Sequence, residues 1–133
     1  MLGLGGMIVP TAAEAAPPYC GITWGGSLEK AGTGTSSAHV KDLRVGQHGC
    51  YDRLVIDLDH DITGYTVEYV SAVHRPGSGS VVPLSGGADL QIVVRAPAYD
   101  DSGKPTYQPA DRDHAVAVDG YRTFRQVALA GSF

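Results

Sequence analysis

Between Arg53 and Leu58 every second residue is a large apolar one. Leu54, Ile56 and Leu58 would point one way, and Arg53 and Asp57 the other. A strand sends successive side chains to opposite faces, whereas a helix would turn Ile56 away from the face shared by Leu54 and Leu58. The same period of two returns in Gly64–Val70, where Tyr65, Val67 and Tyr69 share one face and Thr66 and Glu68 the other. Two such runs joined by the short polar piece Asp59-His60-Asp61 read as adjacent strands.

The rest of the chain fits that reading. Val40–Val45 is a strand with Leu43 and Val45 on one face, and Leu90, Ile92 and Val94 alternate with Gln91, Val93 and Arg95 in another. Val81–Leu84 is a short edge piece, because Pro83 removes a ladder donor. Ala115–Val118 is expected as a strand, and Phe124–Ala130 as a further strand or a short helix. Gln47-His48-Gly49 and Arg75–Gly79 are turns; Gly25–Ser37 and residues 97–113 are loops. The 18 Gly and 8 Pro fall between apolar runs, and no stretch sustains a helical period. Short strands separated by turn signals imply a single all-β domain, a sandwich or a barrel.

Composition narrows function by exclusion. Ten Lys and Arg against 14 Asp and Glu give a formal net charge of -4, with no basic run. Nucleic-acid binding needs clustered cations to neutralise phosphates, so nucleic acid is not expected as a partner. No apolar run approaches the ~20 residues that span a bilayer. Met1–Val9 is a short apolar stretch followed by Pro10 and by Ala13-Glu14-Ala15, the small-residue pattern of a signal-peptidase site. Residues 1–15 are therefore expected to be what remains of an export signal, and residues 16–133 the β domain. The mature chain would be secreted or held at the cell envelope without crossing a membrane.

Cys20 and Cys50 suit that compartment. Bridged, they would stabilise the domain by roughly 3–4 kcal/mol in the chain-entropy treatment. Two buried thiols, or lipidation of Cys20, are the alternatives; Pro17-Pro18-Tyr19 is a poor context for the second. Cys20–Trp24 reads as a packed segment, with Trp24 covering the disulfide.

Catalytic and metal signatures are weak. Asp57, Asp59, Asp61 and Glu68 mimic a calcium loop, but Ile62 stands where that loop needs Gly, and strands flank it instead of helices. The five histidines form neither H-x-H nor H-E-x-x-H, so no metal site and no cofactor is expected. Gly77-Ser78-Gly79 lacks nucleophile-elbow spacing. A hydrolase built from scattered Asp, His and Ser is the least favoured function. Aromatic residues in loops are the better resource, because sugars stack on exposed rings and Asp, Arg and Gln hold their hydroxyls. Tyr19, Tyr51, Tyr99, Tyr107 and Tyr121 lie in or beside predicted loops, and Tyr99 with Asp100, and Tyr121 with Arg122 and Arg125, supply such groups.

The pieces Cys20–Gly25, Cys50–Asp57, Gly64–Val70, Ala96–Asp100 and Gly120–Ala128 together resemble the AMIN-like domains of secreted bacterial proteins and lipoproteins. The resemblance spreads over most of residues 19–133. It implies an antiparallel β-sandwich outside the cytoplasmic membrane, not an enzyme but a non-catalytic module that associates with the envelope. Cell-wall glycan, peptidoglycan included, or an envelope protein would be its partner; the second case would use an exposed strand edge for assembly. Members of that family continue with further strands beyond the equivalent of Phe133, so the resemblance also implies a domain lacking its C-terminal strands.

Overall fold

The alternating run around Leu54 and Ile56 does form a strand, and it pairs with the run before it. The computed structural model describes residues 19–32 and 36–132; the export segment expected over residues 1–15 lies outside them. Five strands run in chain order: β1 (Glu29–Ala31), β2 (Val40–Gln47), β3 (Asp52–Leu58), β4 (Tyr65–Val70) and β5 (Asp89–Val94). A single turn of 3-10 helix follows at Arg112–His114. Strands β2 and β3 make one antiparallel hairpin, with Leu43 opposite Ile56 and Val45 opposite Leu54. Strands β1, β4 and β5 make a three-stranded antiparallel sheet with β4 in the centre. Val67 lies opposite Glu29 on one side and Ile92 on the other.

The outer face of the hairpin is polar. Arg44 grips the Asp57 carboxylate with two hydrogen bonds, Nε at 2.6 Å and Nη2 at 2.8 Å. The opposite face carries Leu43, Leu54 and Ile56, which line a cleft together with the β5 residues Leu90–Val94. This is a sandwich arrangement, and its two sheets line a shared apolar cleft of about 570 Å³. The described residues that are fully withdrawn from water are small: Ala38, Val40, Val73, Val82, Ala98 and Val118. Of these, Val40, Val73, Val82 and Ala98 line the cleft.

Three segments depart from the sequence reading. Glu29–Ala31, expected in a loop, pairs with β4. Ala115–Val118, expected as a strand, joins no ladder among the described residues; Ala115 donates once to the Val127 carbonyl and only Val118 is buried. Phe124–Ala130 is neither strand nor helix. It is an extended run held by isolated bonds, such as Leu129 N–H to the Arg112 carbonyl at 2.7 Å.

Candidate functional site

The hairpin turn between β2 and β3 gathers the aromatic groups. His48 N–H donates to the Tyr51 carbonyl at 2.8 Å and closes the turn. That closure stacks the His48 ring on Tyr51, centroids 4.5 Å apart and planes 24° apart. Cys50, inside the turn, is bonded to Cys20 with the Cα atoms 5.9 Å apart. The disulfide thereby carries the 19–24 segment to the turn. That segment reverses at Cys20 and Gly21, with φ of 56° and 76°, and Tyr19 and Ile22 exchange both backbone hydrogen bonds across the reversal. Positive φ at both central residues is the type I′ pattern, suited to Gly at the second position and strained at the Cys.

Trp24 then reaches Tyr51, with ring centroids 6.0 Å apart and a 56° tilt. The expected packed segment is in fact open: Cys20–Trp24 is exposed apart from a half-buried Ile22. Trp24 is 44% exposed and Tyr19 52%. The result is a row of rings, exposed Trp24 and His48 on either side of half-buried Tyr51, tied together by the Cys20–Cys50 bond.

The 120–125 loop braces this row. Gln47 Nε2 donates to the Gly120 carbonyl at 2.9 Å, and Arg122 Nη1 to the Gly49 carbonyl at 2.9 Å. The Asp52 carboxylate accepts the N–H groups of Thr123 at 2.7 Å and Phe124 at 3.2 Å. Arg125 Nη1 turns back to the Tyr121 carbonyl at 2.7 Å, and Tyr121 stacks near Phe124 at 6.1 Å. Tyr121, Arg122 and Arg125 therefore sit together, beside the row of rings. One guanidinium nitrogen of each arginine is committed to the backbone, and the rest of the fork remains available to a ligand.

Tyr99 and Asp100 lie elsewhere. Pro97 accepts from Val40 N–H at 2.9 Å and Thr106 Oγ1 donates to the Val40 carbonyl at 2.8 Å, which fixes this region at the start of β2. An eight-residue strand spans roughly 23 Å, so the two groups of candidates stand at opposite ends of the hairpin. Asp100 is also occupied. One of its oxygens accepts Ser102 N–H at 2.9 Å, Ser102 Oγ at 2.6 Å and Lys104 N–H at 2.9 Å. The Ser102 hydroxyl, then the Lys104 N–H, hold its carboxyl below the usual range. The residue builds its own turn.

Sequence reasoning left Trp24 and His48 out of the site and counted Tyr51 only among the loop tyrosines. The signal was the pair of spacings Cys20-x-x-x-Trp24 and Cys50-Tyr51: a bond between those sulfurs must bring the rings to one place. Among the described residues no group of three or more His, Cys, Asp or Glu is placed to hold a metal ion. The geometry offers stacking surface, arginine donors and a rigid backbone, the equipment of recognition.

Comparison with known proteins gives one match. No curated protein and no solved structure matches the chain. A family model does, that of the AMIN-like domain, over residues 38–133. The match takes in the hairpin turn and the 120–125 loop; Cys20 and Trp24 precede it.

Proposed function

This chain belongs to the AMIN-like domain family, and from that membership we propose that it is a non-catalytic, envelope-associated binding module that docks on wall glycan through Trp24, Tyr51 and His48. The observation that carries the reading is the row of rings, with Trp24 and His48 exposed and Tyr51 half buried between them, held by the Cys20–Cys50 bond. Apolar faces of pyranose rings stack on such surfaces, and the adjacent Arg122 fork supplies donors to hydroxyl or carboxylate oxygens. The disulfide supports an oxidising compartment, so the chain is read as secreted or held at the envelope.

Retention of the whole chain on purified peptidoglycan tests this. Trp24→Ala and Tyr51→Ala are expected to release it by about tenfold each, in line with the 1–3 kcal/mol lost when a stacking ring is removed. Equal retention of both variants sinks the reading.

One further observation favours a second reading. Strand β5 ends its sheet, and its free edge borders the apolar cleft. An extended segment of another envelope protein could add there as a strand. Crosslinking from position 91 would then capture such a partner, and retention on glycan would be absent.

A further inference from the structure

The end of the molecule remote from the disulfide carries a second concavity. A cleft of about 440 Å³ opens between the Tyr99–Pro105 turn and the Tyr107–Arg112 segment, with Ser132 at its floor. Tyr99, 38% exposed, offers a ring to solvent on one side. Tyr107 is half buried on the other, with its hydroxyl 3.5 Å from the Ala115 carbonyl. Burial, and then the charge of Asp42, push the Tyr107 phenol up.

Arg112 is the distinctive member. The acids nearest it in sequence are spoken for. Asp111 accepts from Asp113 N–H at 3.0 Å and lies 3.1 Å from His114 Nδ1. Asp113 is held by Arg75 at 2.5 Å. The Arg112 guanidinium itself has no hydrogen-bond or ion-pair partner among the described residues. Its backbone carbonyl is fixed by Leu129 N–H at 2.7 Å, so the base of the side chain is anchored while its charged head is free. The head lies over Gly131, where a Cβ would come within 3.8 Å of Nη2. Beside it the Ser132 hydroxyl oxygen accepts Ala98 N–H at 2.6 Å, which leaves its own proton to give.

We propose that this cleft binds an acidic sugar, with Arg112 taking the carboxylate and Tyr99 stacking on the ring. A planar guanidinium matches a carboxylate through two parallel N–H···O bonds. Arg112 is the one cation among the residues lining the cleft, and with Tyr99 and Tyr107 beside it in that lining it suits a ligand with one anionic group on an amphipathic body. The inference rests on the glycan reading for its ligand class, but it uses residues at the other end of the hairpin.

The test compares N-acetylmuramic acid with N-acetylglucosamine, which differ by a lactyl carboxylate, by NMR titration of the whole chain. The acid is expected to bind about tenfold tighter, the worth of one charge-assisted hydrogen bond. Its shifts should centre on Tyr99, Gln108 and Arg112. Arg112→Gln should erase the difference, Arg112→Lys should restore part of it, and added salt should shrink it. Equal affinity for the two sugars, or a preference that survives Arg112→Gln in a folded protein, overturns the proposal while leaving the ring row at the disulfide end unaffected. If neither sugar binds and Trp24→Ala also leaves peptidoglycan retention unchanged, both readings fall together.

Discussion

At single residues the fold leans on a few positions where chemistry leaves no choice. Gly32 and Gly64 are pressed together just beyond the end of β1 and before the start of β4. A Cβ on Gly32, whose φ is +66°, would stand 1.6 Å from the Thr63 carbonyl oxygen, and one on Gly64 2.5 Å from that of Ala31. The obstacles are backbone atoms, which cannot swing aside. Gly64→Ala should therefore cost about 2 kcal/mol or more and lower the melting temperature, while Gly87→Ala, with nothing within 4 Å, should be close to neutral. Asp59 is a second such position. It accepts His39 N–H at 2.6 Å and lies 2.9 Å from His39 Nδ1 and 3.0 Å from His60 Nδ1. The His39 N–H first, and the His60 ring next, hold its carboxyl far below the usual carboxylate range. An unfolded Asp takes up its proton near pH ~3.9, so the folded state binds fewer protons than the unfolded one below that point. The stabilisation is whole above about pH 4–5 and drains away as the pH falls towards the depressed folded value. Thermal melts of the parent and Asp59→Asn should differ at neutral pH and converge in acid; a gap that stays constant would remove Asp59 from the account.

Among elements, legibility followed the source of each element's stability. Strands β2 to β5 were visible because side-chain alternation both announces and stabilises them. Strand β1 was not, since Glu29, Lys30 and Ala31 are all exposed and only main-chain pairing with β4 makes them a strand. Ala115–Val118 misled in the opposite sense: a β-favouring run forms no strand without a neighbour to bond, and a single bond to Val127 is not a ladder. The candidate site obeyed the same logic. The disulfide could be anticipated from two cysteines, but the meeting of Trp24 with Tyr51 needed the bond to be drawn in space. The separation of Tyr99 from Tyr121 needed β2 to be laid out at full length. These dependencies make the turn testable as a unit. Cys20→Ser with Cys50→Ser should lose roughly 3–4 kcal/mol and free the 19–24 segment. Trp24 is the sole tryptophan, so acrylamide quenching of its emission should rise as it leaves Tyr51. Asp52→Ala acts on the other brace: it strands the N–H groups of Thr123 and Phe124 and should cost about 1–3 kcal/mol, with glycan retention reduced because Arg122 loses its seat.

On the scale of the whole molecule, the governing fact is that the two sheets face each other across unfilled space. In a closed core, deleting a large side chain costs transfer energy and leaves a cavity besides, so Ile→Ala commonly loses 2–5 kcal/mol. Here Ile56 and Leu54 line an open cleft and are only half buried. Removing their methyl groups widens a space that already exists and is already in contact with solvent, so the cavity penalty is absent and part of the transfer gain was never collected. Val82, by contrast, is 2% exposed and sits where the 73–82 connection closes the margin through its N–H to the Val73 carbonyl. The ordinary ranking by side-chain size should therefore invert. Val82→Ala is expected to lose about 2 kcal/mol and Ile56→Ala about 1 kcal/mol or less, although the isoleucine surrenders more carbon. Urea melts of the two variants decide it. An Ile56→Ala loss well above that of Val82→Ala would mean that in solution the sheets close on one another, and the cleft beside β5 would then be no place for a partner strand.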